Sequence, residues 1–550
     1  MLRRHIAITI IAVLSGASVV LPLLHSDNTL QKNVPAAQSL KVFSPVSDDE
    51  SYYASRIAAV MRGDTHARDP YFFSDLPVTL PFAAELLVGS IGRFFGMSLA
   101  TVIRLIDFLS PLLIMIGVYV LLLIATAHRS IGIVGATIVS ALLFPVLTRP
   151  ISPQINLLVL IAVLCVCAYV MFKQSHRIPS AIIGSILLGM LVRMYFYYWS
   201  FVAVLFVILI AWCVYKKDIS RARLLGVILC GGLIIGAQTI ATSFALSTDS
   251  VGSEILFRFG EIKTHRPSGL VMAACESVLI IAWSALVRWK KVDINQAAIG
   301  IIFPFAAFVA SNHHIVTGSN ILFSSHYQHP ALLACIVSGA LLVSQYSGHR
   351  FFKNVIIMGS VVALAALSVS AWKLSLYWRI PTPEAQTIAR FTPVFEYLRA
   401  NKKGSVFVYN KVARNWMSAY AGVPVASAPY AFMYPVSNKE LIDRYVAVHY
   451  GDVITREHLV RDQLELWGQH YLVVSGHSRF TGGTSEQIPV EQIIAAQQLA
   501  QKNGFAQSLS QFGVRYVVVD DSEDPQWLHQ EAAKLVLVMR INEFSIYKVE

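Results

Sequence analysis

The chain has 550 residues, of which 55% are hydrophobic and only 14% are charged, and its mean hydropathy is +0.58. Soluble domains carry about 25% charged residues, so most of this sequence is predicted to lie in lipid. The formal net charge is +12. Basic residues beside membrane spans raise the net charge without any anionic partner, and no nucleic-acid partner is predicted. All six cysteines fall inside apolar runs, which argues against a disulfide framework or a cysteine-based metal site.

Apolar runs divide most of the chain into candidate membrane helices. About eleven runs come close to the ~20 residues that a helix needs to cross the hydrocarbon core of a membrane. They are residues 6–24, 101–126, 131–148, 154–172, 179–193, 195–215, 224–244, 269–287, 297–311, 330–346 and 355–377. The first run follows Arg3 and Arg4 and is compatible with a cleaved signal peptide, but its length favours an uncleaved anchor.

The basic residues predict the orientation of these helices. If the N-terminus is cytoplasmic, every loop on that side carries lysine or arginine, as the positive-inside rule requires. The segment 25–100, the loops 245–268 and 312–329, and everything after residue 378 then lie on the exoplasmic side. We therefore predict a multi-pass protein of the cell (inner) membrane.

An acidic cluster follows the first apolar run. Asp48, Asp49 and Glu50 are consecutive carboxylates. They open a stretch, residues 50–61, in which apolar side chains recur at helical spacing with Arg56 and Arg62 beside them. A second amphipathic stretch covers residues 81–95. We predict two helices lying in the membrane interface that hold the acidic cluster near the lipid headgroups.

The chain changes character after residue 378. Short runs rich in β-forming residues at 405–409, 471–475, 515–520, 534–539 and 544–549 alternate with helical stretches at 388–400 and 490–502. This pattern predicts a C-terminal exoplasmic α/β domain, 379–550, after a transmembrane module, 1–378. The domain has no glycine loop for phosphate and no nucleophile elbow, which favours a structural or acceptor-contacting role.

The acidic segment carries a family resemblance. Asp49-Glu50-Ser51-Tyr52-Tyr53-Ala54, followed by Ala58, Gly63 and Asp64, resembles the "D-E-x-x-Y-A … G-D" segment after the first span of GT-C glycosyltransferases. The match is particularly to protein O-mannosyltransferase-like enzymes and lipid A aminoarabinose transferases. The order of parts is also similar to that superfamily. The proline-rich "E-K-P-P-L" continuation is absent, so no subfamily is assigned.

The resemblance implies an inverting transfer of a sugar from a polyprenyl phosphate to a hydroxyl or amide acceptor. Asp49 matches the motif's aspartate and would be the base, Glu50 would support it, and Asp48 would replace it if the register differs by one. A carboxylate base must reach the acceptor as it attacks the anomeric carbon. The alternative is that Asp48 and Asp49 cap the following helix.

A phosphate leaving group needs cations on the exoplasmic side. Arg258, Arg266 and Arg193 are the predicted phosphate contacts. Arginine near lipid also anchors headgroups, and that interpretation remains open for each of them. Around the acids, the predicted substrate contacts are Tyr53, Asp64 and Asp69.

A histidine-rich loop is the second informative stretch. Residues 312–330 contain four histidines, and we predict that His326 and Tyr327 contact the sugar or the acceptor. The alternative is a solvated polar loop. Adjacent histidines such as His313 and His314 do not easily point into one cavity, so a two-histidine metal site is not predicted there. A divalent metal elsewhere in the site is left open.

Two other classes of protein remain as alternatives. A lipid or sugar transporter would also be polytopic, and Asp107 and Glu276 are acids within predicted spans. A non-enzymatic assembly protein for envelope polysaccharide would account for a large outer domain. The predicted function is that of a membrane glycosyltransferase with a polyprenyl-phosphate-linked sugar as donor, a membrane lipid as its carrier, and an unidentified acceptor.

Overall fold

The architecture comes from a computed structural model. It describes residues 5–47, 49–64, 69–71, 82–143, 151–173, 177–248, 250–258, 261–267, 269–289, 292, 294–348, 350–378, 380–401, 404–427, 436–462, 466 and 490–549. The chain forms two compact units. The first contains Met1–Leu24, Ile103–Thr242 and Lys263–Arg379, and the second contains His25–Val102, Ser243–Ile262 and Ile380–Glu550.

Helices dominate the described residues. In chain order they are α1 (Ile6–Asn33), α2 (Glu50–Met61), α3 (Ala83–Phe94), α4 (Leu99–Thr126), α5 (Arg129–Leu142), α6 (Ile151–Phe172), α7 (Arg177–Val192), α8 (Phe196–Tyr215), α9 (Ile219–Ile235), α10 (Ala237–Thr248), α11 (Ser250–Arg258), α12 (Leu270–Arg288), α13 (Ile294–Ser311), α14 (His314–Thr317), α15 (Gln328–Ser344), α16 (Arg350–Tyr377), α17 (Pro383–Arg390), α18 (Thr392–Ala400), α19 (Lys411–Tyr420), α20 (Asn438–Val448), α21 (Arg456–Arg461), α22 (Val490–Asn503), α23 (Phe505–Ser510) and α24 (Gln526–Ala532). The strands are β1 (Glu261–Lys263), β2 (Ser319–Ile321), β3 (Ser405–Val408), β4 (Val514–Asp520), β5 (Val536–Ile541) and β6 (Phe544–Lys548).

The membrane-length helices confirm the predicted fold class. Within the described ranges, eight helices are long and apolar enough to cross a membrane, and the bent pair α9 and α10 makes a ninth span if it is counted as one. These eight are Ile6–Asn33, Leu99–Thr126, Ile151–Phe172, Phe196–Tyr215, Leu270–Arg288, Gln296–Thr317, Ser325–Ser344 and Phe352–Leu376. The remaining predicted runs correspond to two shorter apolar helices, Arg129–Leu142 and Ile178–Val192. The chain is a polytopic helical membrane protein with a C-terminal α/β region.

Small residues bring the membrane helices into close contact. A Cβ placed on Gly232 of α9 would lie 2.6 Å from Cγ of Leu188 on α7, and one placed on Gly189 would lie 2.5 Å from Cβ of Ile235. Helices in lipid gain no hydrophobic driving force from each other, so close backbone approach at such positions supplies the van der Waals contact that holds them together.

The two acids within spans have different surroundings. Asp107 on α4 pairs with Arg104 one turn earlier at 2.9 Å, and Gln154 on α6 approaches the other carboxylate oxygen at 3.5 Å. Glu276 on α12 is 1% exposed, and neither of its carboxyl oxygens has a hydrogen-bond partner in the described structure. A buried, unpartnered carboxyl group is destabilising.

The C-terminal region folds around one four-stranded sheet in the order β3-β4-β6-β5. Strands β3 and β4 are parallel, while β6 is antiparallel to both β4 and β5. The predicted runs at 405–409, 515–520, 534–539 and 544–549 are confirmed as strands, and the run at 471–475 lies outside the described residues. Phe407 and Val517 are fully buried in the core that this sheet forms with the surrounding helices.

One predicted helix is divided in two. The stretch predicted at 388–400 forms the end of α17 and all of α18, with Phe391 between them. Pro393 explains the break, because in a continuous helix its ring would collide with the carbonyl group of Ala389 and its missing N–H would leave that carbonyl unpaired.

The segment after the first span belongs to the same compact unit as the C-terminal region. Helix α2 packs against α3 and α19, and a Cβ placed on Gly89 of α3 would lie 2.6 Å from Cβ of Val60 on α2. Most of α2 is buried, including Glu50 and Arg56. The sequence marked only an apolar face, because periodicity does not show which other elements cover the polar one.

Candidate active site

The N-terminus of α2 holds the predicted base. The backbone N–H of Glu50 donates to the carbonyl of Ser47 at 3.1 Å, and the Ser47 hydroxyl donates to Oδ1 of Asp49 at 2.6 Å. Asp49 occupies the N-cap position, is half-buried, and makes no side-chain capping bond to the helix backbone. The Asp49 carboxylate therefore does not cap α2, in contrast to the alternative raised from the sequence. Asp48 lies outside the described residues.

Glu50 points into the protein. It is buried, and its Oε2 accepts a hydrogen bond from the backbone N–H of Val46 at 2.5 Å. This contact ties the chain before the helix to the first turn of α2, where the positive end of the helix dipole also favours a carboxylate. The geometry suits the supporting role predicted for Glu50, since its carboxylate orders the residues around Asp49.

A buried ion pair lies nearly two turns further along α2. Nη1 of Arg56 lies 3.2 Å from Oε1 of Glu85 on α3 and donates to the hydroxyl of Tyr52 at 3.0 Å. The guanidinium also lies 4.8 Å from the ring centre of Phe82. Burial alone would lower the pKa of Arg56, but the charge of Glu85 leads a set of opposing effects that raise it. The ion pair therefore stays charged and connects α2 to α3.

Sequence reasoning missed this role for Arg56, which was assigned to the edge of an interfacial helix. The available signal was a charged residue at i, i+4 from Tyr52 in an otherwise apolar stretch, facing a second helix that carries the acid Glu85.

Burial raises the pKa of Tyr52 well above its usual range, so its hydroxyl keeps its proton.

Tyr71 connects the acidic helix to the C-terminal region. Its hydroxyl accepts from Ser55 Oγ at 2.9 Å and faces the carbonyls of Ser51 at 2.8 Å and Asn415 at 3.1 Å. Its backbone N–H donates to Oδ1 of Asp69 at 2.8 Å. Asp69, a predicted substrate contact, is therefore buried and holds a local turn.

The other predicted contacts on this segment are more open. Tyr53 is half-buried, and its ring meets that of Tyr52 edge to face at 5.3 Å. Asp64 is partly exposed just after α2, where its backbone N–H donates to the carbonyl of Ala59.

Arg62 fastens the other end of α2. Its guanidinium donates to the carbonyls of Ser418 and Ala419 at 2.9 Å and 3.0 Å, at the end of α19. Burial, together with the nearby charge of Arg399, lowers the pKa of Arg62 to about 10. The C-terminal region thus directly supports the helix that carries the acids.

Arg258 is buried rather than open to a ligand. It is 0% exposed and donates to Oδ1 of Asn438 at 2.7 Å and to the carbonyl of Val436 at 2.8 Å. Its pKa falls to about 10 because of burial, against the opposing charge of Glu254. These contacts give Arg258 a structural role within the unit that also contains the acidic helix.

Arg266 and Arg193 both have exposed side chains. The loop around Arg266 is fixed by its backbone, since its carbonyl accepts from Nε2 of the buried His314 at 2.8 Å. His265 donates to the carbonyl of Ile315 at 2.9 Å. Gly318, with φ of +75°, ends α14 beside His265, whose Cε1 would lie 3.1 Å from a Cβ at that position.

His326 and Tyr327 form a cluster with the start of α8. The Tyr195 hydroxyl and His326 Nδ1 share a short hydrogen bond, and the Tyr327 hydroxyl bonds Ser200 Oγ at 2.8 Å. His329 bonds the Tyr198 hydroxyl at 2.8 Å. The structure thus brings the histidine loop together with tyrosines that lie 131 residues earlier in the chain.

The predicted site residues fall into two groups. Asp49, Glu50, Tyr53, Asp64, Asp69 and Arg258 belong to the unit that contains the C-terminal region, and Arg193, Arg266, His326 and Tyr327 belong to the unit of membrane helices. Among the residues that the structure describes, no group of three or more His, Cys, Asp or Glu side chains is arranged to hold a metal ion.

Comparison with known proteins gives matches by structure alone. No protein-family model matches the sequence, and no curated protein matches it. The oligosaccharyltransferase AglB from Archaeoglobus fulgidus, in its complex with zinc and sulfate, matches with a TM-score of 0.53 at 11% identity, over 96% of this chain and 69% of that one. Its apo form matches with a TM-score of 0.51 at 12% identity, over 96% and 71%. The chain has a GT-C-like fold.

Other GT-C structures are similar at lower scores. ArnT from Cupriavidus metallidurans bound to undecaprenyl phosphate has a TM-score of 0.45 and 14% identity, over 99% of this chain and 98% of that one. The arabinofuranosyltransferase AftD from Mycobacteria has a TM-score of 0.47 and 14% identity, over 100% and 40%. The GT-C-like fold rests on the two AglB structures, with TM-scores of 0.51 and 0.53.

Proposed function

We propose that this protein is an inverting membrane glycosyltransferase that transfers a sugar from a polyprenyl phosphate to an acceptor on the exoplasmic side of the cell membrane. The observation that carries the proposal is the geometry of Asp49. The chain has a GT-C-like fold, and the Asp49 carboxylate lies at the N-terminus of α2. The Ser47 hydroxyl orients this carboxylate, which makes no capping bond to the helix backbone. One AglB structure is a complex with a dolichol-phosphate, and one ArnT structure is bound to undecaprenyl phosphate. These two lipids support a polyprenyl-linked donor for this chain.

The proposed chemistry is a single displacement. Asp49 removes the proton of the acceptor hydroxyl or amide as the acceptor atom bonds to the anomeric carbon. The bond between that carbon and the phosphate oxygen breaks, and the phosphate leaves with the electron pair. Glu50 holds the preceding chain and thereby the position of Asp49, and Asp48 is the alternative base.

The assignment of the phosphate contacts follows side-chain exposure. Of the three proposed phosphate contacts, Arg266 and Arg193 have exposed guanidinium groups, whereas Arg258 donates to Asn438 and Val436. The two exposed arginines are therefore the first candidates to bind the negatively charged leaving phosphate. His326 and Tyr327 are the proposed sugar or acceptor contacts, with Tyr53, Asp64 and Asp69 around the acids. The N-terminus is proposed to be cytoplasmic, and the C-terminal domain to be exoplasmic.

Sugar transfer in isolated membranes tests the proposal. Membranes with matched amounts of wild type, Asp49→Asn or Asp443→Asn are supplied with a panel of radiolabelled polyprenyl-phosphate sugars. Asp443 pairs with Lys439 on α20 and serves as the matched control. A base supplies about 10²–10⁴-fold, so we expect label to reach an acceptor with the wild type and the control and to fall by that factor with Asp49→Asn.

Each other outcome changes the proposal. Equal transfer by wild type and Asp49→Asn removes Asp49 from the mechanism, and the same comparison with Asp48→Asn then tests the alternative base. No transfer from any donor of the panel contradicts a transferase for those sugars and favours a non-enzymatic envelope protein.

A further inference from the structure

A pocket of about 300 Å³, lined mainly by charged and polar residues between 409 and 524, lies in the C-terminal region. It is at the carboxyl ends of the parallel strands β3 and β4. Tyr409 and Asn410 follow β3, and Glu523 and Asp524 follow β4. Open α/β sheets bind ligands in the crevice at this edge, because the strand ends and the helix N-termini meet there. None of the residues proposed for sugar transfer lines this pocket.

One wall of the pocket is cationic. Lys411 and Arg414 come from the first turns of α19, which Asn410 caps by accepting from the N–H of Ala413 at 3.0 Å. Arg461 extends from the end of α21, mostly exposed to solvent. The helix N-terminus adds the positive end of its dipole to these three charges. This wall suits a negatively charged group on a ligand.

A second part of the lining, the acidic wall, carries carboxylates, and its Asp462 lies 3.4 Å from the guanidinium of Arg461. Glu523 is paired with Arg390 at 2.7 Å, and Asp462 accepts from the Tyr445 hydroxyl at 2.9 Å. Burial, with the neighbouring charges of Asp520 and Glu523, raises the pKa of Asp524 to about 7. Asp524 therefore both donates and accepts hydrogen bonds near neutral pH. Such a wall binds hydroxyl groups, which donate to carboxylates and accept from a protonated acid.

His449 also lines the pocket, in a fixed orientation. Its Nδ1 lies 2.7 Å from Oδ2 of Asp452, which also accepts from the hydroxyl of Tyr409 at 2.9 Å. Oδ1 of Asp452 accepts from Nε1 of Trp527 at 2.7 Å. The proton on Nδ1 is thus held by a carboxylate that the protein positions, and Nε2, 4.0 Å from Asp462, is the nitrogen available to a ligand.

We propose that this pocket binds an anionic saccharide, a sugar ring that carries one carboxylate or phosphate. Its anionic group contacts Lys411, Arg414 and Arg461, and its hydroxyls contact His449 and the acids. A small inorganic anion would leave the acidic wall unused, and a neutral sugar would leave the cationic wall unused. The volume is at the lower end of the ~300–1,000 Å³ range of ligand pockets, which suits one sugar residue. The proposal does not depend on the transferase function.

Ligand-observed saturation-transfer NMR on the full-length protein in detergent tests the proposal. The probes are sodium glucuronate and glucose 1-phosphate, with methyl glucoside and inorganic phosphate as the neutral and sugar-free comparisons. We expect both anionic sugars to receive saturation and the comparison probes to bind at least about tenfold more weakly. The difference between glucuronate and glucose 1-phosphate shows whether carboxylate or phosphate is preferred.

Two double variants locate the binding. Lys411→Met with Arg461→Gln removes two exposed cations of the pocket, and we expect it to weaken binding of both anionic sugars at least about fivefold. Lys439→Met with Lys502→Gln is the matched control, since both lysines are exposed outside the pocket, and it should bind as the wild type does. Thermal unfolding of both double variants checks that they are folded.

Four outcomes overturn the proposal. The wild type binds neither anionic sugar, or the pocket variant binds them as well as the control does. Inorganic phosphate binds as tightly as glucose 1-phosphate, which would indicate a plain anion site. Methyl glucoside binds as tightly as glucuronate, which would indicate a neutral-sugar site.

Discussion

Arg56 of α2 and Glu85 of α3 form an ion pair at 3.2 Å in which both side chains are almost completely buried, at 1% and 2% exposure. The pair lies two turns from Asp49 on the same helix and connects the two helices that follow the first span. The contribution of this ion pair to the free energy of unfolding depends on both partners being present, because a buried charge without its counter-ion carries the full cost of desolvation.

Removing one partner should destabilise the protein more than removing both. We expect Arg56→Met to lower the free energy of unfolding by about 3–5 kcal/mol, since the buried Glu85 then loses its ion pair with Arg56. The double variant Arg56→Met with Glu85→Leu should recover most of that loss. Thermal unfolding of the purified variants measures both effects. A double variant as unstable as Arg56→Met would show that the lost hydrogen bond to Tyr52, rather than the uncompensated charge, sets the cost.

Asp524 should make stability depend on pH. Its pKa in the folded protein is about 7, above the 3.8 of an ordinary aspartate. The folded form therefore holds more protons than the unfolded form between about pH 4 and pH 7, and stability falls as pH rises through that window. Asp524→Asn retains the acceptor for the Asp520 N–H and cannot ionise.

The test compares thermal unfolding of wild type and Asp524→Asn at pH 5 and pH 8. Relative to the variant, the wild type should lose about 2–3 kcal/mol between these values. Asp443→Asn is the control and should follow the wild type. A constant difference between wild type and Asp524→Asn would contradict the raised pKa.

Glu276 should be replaceable by an apolar residue with a gain in stability. Its buried carboxyl group has no hydrogen-bond partner in the described structure, so Glu276→Met should raise the free energy of unfolding by about 1–3 kcal/mol. Asp107→Leu is the contrasting variant and should destabilise the protein, because it breaks the buried ion pair with Arg104. A Glu276→Met protein that is less stable than the wild type would point to a function of this acid in the membrane.

Tyr195 should affect sugar transfer through His326, if the proposed transferase function holds. Tyr195→Phe removes the hydroxyl that bonds His326 Nδ1 and keeps the aromatic ring. We expect kcat/KM for the donor to fall about tenfold, with the imidazole no longer held in one orientation. Tyr215→Phe, at the exposed end of α8, is the control and should leave kcat/KM unchanged. An unchanged value with Tyr195→Phe would remove the cluster from substrate binding.

The sequence by itself determined the parts that depend on local pattern. Each predicted apolar run contains a helix, because about 20 apolar residues in lipid must satisfy their backbone groups within the segment. Strands β3 and β4 were found from runs such as Ser405–Val408, whose β-branched residues are bounded by turns. The acidic motif is also a local pattern, because its residues are adjacent in the chain. It identified the helix that begins at Glu50 and the GT-C-like fold.

Only the tertiary structure decided which distant residues meet. The sequence placed Arg258 among the phosphate contacts, and the structure buries it against Asn438, 180 residues away. It likewise brings Tyr71 to Asn415 and forms the pocket from four separate segments, one of which is His449 itself. Periodicity records which face of a helix is apolar, but not which element covers its polar face. Burial and pairing of charged side chains therefore had to come from the folded chain, where long-range packing fixes their partners.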